Sequence, residues 1–368
     1  MPQLDTLWID LRAGVEDLFI DEYLCSYNGF RQLCFPDEQD PQMIMLIGGK
    51  SKTEAIRRLM PSLNSPRDHK KIHLQLVPGN TKARSPVLIA DCELHNAQYR
   101  STASLVEVAV EQHALHWHRK APTEGLDTNT LAHLVYSKLI SPFSTIICFF
   151  ADDLGGTRVV ADILASWLIS LSNRSSDLPV STYPRVLVLK ANDRAPNEER
   201  ATLNFMKELA EEAKARNGSL AQRASGSLAN DRFYALLRQQ FGGLRVLALP
   251  GTKEPLQKQG NLWESLWTRI LQGSQRIQNR RRKAQVAFSS THFKAFFHLA
   301  CAHFAGDIVA PFSFVKASRL ANPVPQDFSS HITNFLAEVK PPLIESFAIP
   351  FIASAMAIDS CPPEMHSK

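Results

Sequence analysis

Short apolar runs alternating with segments of helical spacing predict an α/β fold: a doubly wound, mainly parallel sheet followed by an all-α C-terminal segment. Five runs carry the sheet: Met43–Ile47, Val87–Ala90, Thr145–Phe150, Arg185–Leu189 and Leu244–Leu249, each bounded by turn or charged residues. Strands covered on both faces need such near-continuous apolarity. The intervening segments repeat apolar residues at intervals of three and four, as a helix with one buried face does. Beyond residue 283 no strand-like run appears.

In chain order, residues 1–42 are expected to form a helical extension, and Met43–Ile47 opens the α/β domain, which spans 43–275. Ile72–Val77 alternates apolar and polar residues, the pattern of an edge strand with one wet face. Thr102–His118 reads as a helix through Leu105, Val108, Ala109, Gln112 and Leu115. Thr157–Leu171 sets Val160, Ile163, Leu164, Trp167, Leu168 and Leu171 on one stripe. Glu199–Arg216 is a charged helix with Leu203, Met206, Leu209 and Ala210 inward, and Asn261–Gln275 follows the last strand with Leu262, Leu266 and Ile270. Ser172–Tyr183 and Asn217–Ala229, rich in Ser, Asn and Gly, read as loops. Residues 276–368 form the helical segment: Gln278–Lys283 (QNRRRK) is a basic punctuation mark, and Thr291–Ala305, Ser329–Val339 and Pro342–Ala357 are spaced as helices. Val309–Pro325 is a Pro-containing linker between the first two of these helices.

Composition narrows the function classes. Of 368 residues, 44% are hydrophobic and 21% charged, and the formal net charge is +5, so no nucleic acid or anionic membrane is called for. The six cysteines form no C-x-x-C and no regular framework, which fits a reducing compartment. Cys148, inside an apolar run, reads as a small buried hydrophobe. The acidic N-terminus is unlike a signal peptide. The longest apolar candidate, Phe347–Ile358, contains Pro350 and runs only about a dozen residues, against roughly 20 for a spanning helix. A cytoplasmic protein without a transmembrane segment is the expectation.

The most informative stretch is Met43–Arg58, MIMLIGGKSKTEAIRR. A buried strand enters Gly48-Gly49-Lys50-Ser51-Lys52-Thr53, and a helix starts at once. Glycines let backbone N–H groups turn toward a phosphate, a Lys supplies a cation for its oxygens, and a following hydroxyl can hold Mg²⁺. Lys52 and Thr53 occupy the places of the Lys and Ser/Thr of a P-loop, which makes the sheet one of P-loop NTPase type. The loop is short: Gly48 precedes Lys52 by four residues instead of six, and Ser51 replaces the second Gly. The alternative reading is a Gly-rich turn with solvated lysines. The second strand ends in Asp91, where a nucleotide-hydrolysing domain carries Asp-x-x-Gly, but position 94 is Leu. Asp91 and Thr53 are the candidate Mg²⁺ ligands. Asp193, after the RVLVL strand, is the candidate base-reading residue, and a surface turn explains it equally well. The last strand exits into Pro250-Gly251-Thr252-Lys253.

The blocks MIMLIGGKSKTEAIRRL, PVLIADCELH, CFFADDLGGTRVVADILASWL and AFSSTHFKAFFHLACAHFA, with the closing PPEMH, resemble in order and spacing a segment of large fungal patatin-like phospholipase proteins. In that family the segment precedes the catalytic domain. The resemblance covers most of 43–368. It implies a degenerate P-loop GTPase followed by helices, a link to lipid metabolism, and a patatin-type lipase domain as partner in cis or in trans. Patatin catalysis needs a Gly-rich oxyanion stretch, a G-x-S-x-G nucleophile and a D-G-[GA] aspartate. None is present. The nearest miss, Gly49-Lys50-Ser51-Lys52-Thr53, ends in a β-branched residue where the elbow packs a Gly.

Two histidine groups and one acidic pair complete the candidates. On a helix, His113 and His116 would share a face, His118 would not, and a polar helix end is the simpler reading. His292, His298 and His303 read as packed or capping residues. Asp152 and Asp153 follow the TIICFF strand, where doubly wound sheets bind ligands; capping of the next helix is the simpler role.

These readings converge on a non-catalytic regulatory or nucleotide-sensing module with at most weak Mg²⁺–GTP or Mg²⁺–ATP binding. An active NTPase and a structural module for a lipase partner are the alternatives. The missing elbow makes a first prediction: the purified chain cleaves no p-nitrophenyl ester or phospholipid faster than its Ser51→Ala variant. Activity lost in that variant would place a nucleophile at Ser51.

Overall fold

The computed structural model describes residues 6–16, 19–60, 71–79, 81–94, 109–118, 128–171, 176–191, 197–216, 237–238, 240–250, 256–320 and 327–360. Among the described residues nine strands make one sheet: β1 (Leu7–Glu16), β2 (Phe19–Ser26), β3 (Gln42–Ile47), β4 (Ile72–Leu76), β5 (Val87–Cys92), β6 (Glu111–Ala114), β7 (Ser144–Phe150), β8 (Arg185–Ala191) and β9 (Leu244–Leu249). The helices are α1 (Lys50–Leu59), α2 (Thr128–Leu134), α3 (Thr157–Leu171), α4 (Glu198–Arg216), α5 (Leu256–Lys283), α6 (Ser290–Gly306), α7 (Phe314–Ser318), α8 (Phe328–Glu338) and α9 (Ile349–Ser360). Short π-helical stretches extend α2 through Val135–Ile140 and precede α9 at Ile344–Ala348.

The sheet order is β6-β2-β1-β4-β5-β3-β7-β8-β9. All five expected apolar runs lie side by side as the parallel block β5-β3-β7-β8-β9. The other half, β4, β1, β2 and β6, is antiparallel, so the whole sheet is mixed rather than mainly parallel.

Helices cover both faces of the parallel block. On one, Ile44, Leu46, Ile146, Cys148, Leu187, Leu189 and Leu247 pack with Ala55 and Ile56 of α1 and with Trp263, Leu266 and Ile270 of α5. Cys148 is fully buried, as its apolar run implies, and burial pushes its thiol far above the ordinary range. Facing the other side, Phe149 meets Trp167 of α3 with ring centroids 5.4 Å apart. In α3 the expected stripe is buried at Val160, Leu164, Trp167 and Leu168. In α4 Leu209 and Ala210 are buried as expected, together with Phe205 and Ala213, while Met206 is half-buried and Leu203, expected inward, is exposed.

Three further expectations are corrected. Residues 1–42 hold the β1–β2 hairpin and a 3₁₀ turn at Gly29–Gln32 instead of a helical extension. The hairpin pairs β1 with β4, so β4 is an interior strand and not an edge. Glu111–Ala114 is strand β6, followed by a 3₁₀ turn at His116–His118, where a helix was expected; residues 102–108 lie outside the described residues. The cause is tertiary. α6 covers the hairpin, with Trp8 stacked 4.3 Å from Phe297 and Phe30 5.3 Å from Phe293, and burial of these rings outweighs local propensity.

Residues 1–312 form one compact unit and 313–368 a second. The expected boundary at 275–276 falls inside α5, whose last six residues are the QNRRRK stretch. The described residues of the second unit are helical, and the expected linker contains the short α7. Among the described residues no helix is long and apolar enough to cross a membrane.

Arg281 shows why α5 continues through the basic stretch. It is buried and donates to the carbonyls of Pro142, Phe143, Ser144 and Thr182, tying the helix to the start of β7. Burial lowers its pKa to about 10. Arg281→Met leaves these carbonyls without donors and is expected to cost about 3 kcal/mol or more in urea unfolding. A loss below about 1 kcal/mol would mean that water replaces the guanidinium.

Candidate functional site

The Gly-Lys turn lies at the C-terminal end of β3, where the chain order reverses. β3 is flanked by β5 on one side and β7 on the other, the crevice in which open α/β sheets bind ligands. Gly49 is the N-cap of α1, and Thr53 N donates to Gly49 O at 2.9 Å, closing the first helical turn. Strand, glycines, lysine and helix are therefore arranged as the sequence implies.

The anion in the turn belongs to the chain itself. Asp153, just past β7, accepts from the backbone N–H groups of Gly49 at 2.7 Å, Ser51 at 2.8 Å and Lys52 at 3.0 Å. Burial raises the pKa of this carboxyl, but the N–H donors outweigh it and hold it below the ordinary value. Asp153 is thus a cap, as its position suggests, but of α1 and not of the helix that follows it. Asp152 accepts from Ala191 N at 2.6 Å, bridging to the end of β8. Gly48 is needed for the same closure: a Cβ there would lie 2.7 Å from Phe150 Cβ and 2.9 Å from an Asp153 carboxylate oxygen.

Lys52 is fully buried. Its ammonium lies 2.5 Å from Asp91 Oδ1 and 2.9 Å from Glu93 Oε1, and donates to Cys92 O at 3.1 Å. Lys50 is exposed, as the sequence implies. Thr53 Oγ1 is buried without a hydrogen-bond partner among the described residues. Leu94, in the place of the switch glycine, is 1% exposed. Asp193 and Gly251–Lys253 lie outside the described residues.

Gly48, Gly49, Ser51, Lys52, Thr53 and Asp91 are therefore brought together, yet they do not fit Mg²⁺-bound GTP or ATP in this arrangement. The N–H groups a β-phosphate would use are taken by Asp153, and the cation is held by Asp91 and Glu93. Asp91, the other candidate metal ligand, faces an ammonium instead. A phosphate would enter a site already holding three carboxylates. Ser51, its amide bound to Asp153, has no histidine base in the surrounding contacts among the described residues.

One residue of this site, Glu93, was not singled out in the sequence, and the helix that Asp153 caps was not the expected one. Glu93 stands two residues after Asp91, the interval that keeps side chains on one face of a strand. The partnership of Asp153 with α1 follows from the adjacency of β3 and β7, which apolar runs alone do not order.

Five of the six histidines singled out in the sequence meet protein partners. His113 and His298 both contact Glu111, at 3.1 and 2.9 Å. Buried His118 pairs with Glu22 at 3.0 Å, and His292 Nδ1 meets Ser289 Oγ, the N-cap of α6, at 2.9 Å. His303 Nε2 lies 2.9 Å from Ala310 O. Among the described residues no group of three His, Cys, Asp or Glu could hold a metal ion. No protein-family model matches the chain, and no curated protein matches it.

The cap has a pH signature. Because the folded pKa of Asp153 is depressed, its stabilisation is complete above the ordinary Asp value and fades as pH falls through the folded value. Asp153→Asn is expected to cost about 1–2 kcal/mol in urea unfolding at pH 7, the range of an N-cap. The gap to wild type should close in acid. A gap independent of pH would assign the cost to packing.

Proposed function

We propose that this chain is a non-catalytic, regulatory module of degenerate P-loop GTPase type whose phosphate nest is closed by its own carboxylate. The observation that carries this reading is Asp153 bound to three N–H groups of the turn. It is reinforced by the strand order β4-β5-β3-β7-β8-β9, with the Gly-Lys turn on the central β3 and only β4 antiparallel in that block. A nest filled from within keeps the shape of a nucleotide site without needing the nucleotide. Of the two roles expected from the sequence, regulation without nucleotide is therefore favoured over sensing.

Hydrolysis is disfavoured on separate grounds. Phosphoryl transfer needs a metal, a positioned water and charge stabilisation. Here Asp91 is committed to Lys52, and buried Leu94 stands where the switch glycine would be. The lipase partner, in cis or in trans, and the association with lipid metabolism are supported by the sequence resemblance. The five free cysteines among the described residues suit a reducing, cytoplasmic setting.

Calorimetry with Mg²⁺–GTP and Mg²⁺–ATP is expected to show no saturable binding at the Gly-Lys turn of the wild type. Asp153→Ala, which empties the nest, should lower Tm and recover part of the loss in millimolar inorganic phosphate. Micromolar nucleotide binding that survives Lys50→Ala but is lost in Thr53→Ala would overturn the closed-nest reading.

A further inference from the structure

A cluster of arginines lies at the opposite end of the parallel strands. Arg185 opens β8, and the β8–β9 register sets Arg245 beside Leu187, so Arg185, Leu187, Arg245 and Leu247 project from one face of the sheet. α5 crosses that face. At Gly273 it comes so close that a Cβ would lie 3.3 Å from Ile146 Cδ1. The two surfaces border an open pocket of about 150 Å³ whose polar lining is half-buried Arg185 with the exposed Arg245, Arg269, Gln272 and Arg276. Arg280 stands one helical turn beyond Arg276.

The charges are not balanced from within. Arg269 forms a two-pronged pair with Glu198, at 2.8 and 2.6 Å. Arg185, Arg245, Arg276 and Arg280 make no side-chain hydrogen bond or ion pair among the described residues. Burial, and then the nearby Arg245, Arg276 and Arg280, push the pKa of half-buried Arg185 down. A cavity walled by mutually repelling guanidinium groups is stabilised when an anion enters it. Guanidinium forks match the oxygens of a phosphoryl group, which can accept from several of them at once.

We propose that the pocket between β8, β9 and α5 binds a phosphate-bearing ligand, its phosphoryl group held by Arg185, Arg245 and Arg276. A pocket of about 150 Å³ has room for a phosphoryl group. Two sources share this chemistry, a small soluble phosphate compound and the headgroup of a phosphorylated lipid. The site is independent of the Gly-Lys turn, which lies at the other end of the strands.

The test uses the full chain, inorganic pyrophosphate, and phosphatidylcholine vesicles with and without phosphatidylinositol bisphosphate. Pyrophosphate should raise Tm and give saturable heat. Arg185→Gln and Arg276→Gln should each weaken binding about tenfold or more, the loss of one charged fork. Arg158→Gln, on the exposed outer side of α3, should leave it unchanged. Without ligand the two pocket variants should melt at or above the wild-type temperature, since each relieves like-charge crowding; this separates lost binding from lost folding. Sedimentation with the phosphoinositide vesicles alone, abolished by the same variants, would assign the ligand to a lipid. No effect of pyrophosphate and no vesicle binding would overturn the proposal, as would equal weakening by Arg158→Gln. Nucleotide heat that disappears in Arg185→Gln belongs to this pocket; heat that persists belongs to the Gly-Lys turn and counts against the closed nest.

Discussion

One carboxylate, accepting three backbone N–H groups at the start of α1, governs how the central crevice is organised. The first N–H groups of any helix lack intrahelical partners, and the helix dipole makes that end favourable for negative charge. Nucleotide-binding folds leave the vacancy to a phosphate. In this chain a residue 104 positions away in sequence fills it, and the contact pins the turn after β3 to the turn after β7. Asp152 extends the same clamp to the end of β8. Two adjacent acids thus tie three neighbouring strand ends.

The buried Lys52 follows the same logic from the other side. An ammonium with no exposure needs close counter-charge, and Asp91 and Glu93 supply it from the end of β5. The pairs do not make the site an asset to stability in themselves, since desolvating the charges offsets much of their attraction. They fix geometry. With β5 joined to α1 through Lys52, and β7 joined to it through Asp153, the helix is seated against both neighbours of β3.

The parallel half of the fold was legible because its constraint is local: strands buried on both faces must be apolar along their length, and Met43–Ile47 and Thr145–Phe150 show that directly. The hairpin was not legible. Leu7–Glu16 mixes charged and apolar residues, and what makes it a strand is cover from α6, nearly three hundred residues later in the sequence. Ile72–Leu76 alternates as an edge strand would, yet β1 pairs with it on the far side. At the site, Lys52, Thr53 and Asp91 were recognisable by type and spacing, whereas the pairing of Lys52 with Asp91 and Glu93 was not. Whether a lysine meets a phosphate or a glutamate depends on which strand ends are neighbours, and only the sheet order settles that.

The hairpin also bears on how the chain is made. β1 and β2 are adjacent in sequence, so they can pair within a few residues' separation, at little loop-closure cost. Their outer partners come much later: β4 begins at Ile72 and β6 at Glu111. During synthesis the ribbon therefore emerges ahead of its outer partners and waits with both edges unpaired, open to strand exchange with other chains. Charged residues placed along it, such as Asp10, Arg12 and Glu22, suit that interval, since a like ribbon from a second chain meets them as an obstacle to stacking. Until β4 and β6 follow, the chain thus carries two strand edges that only its own charged side chains guard.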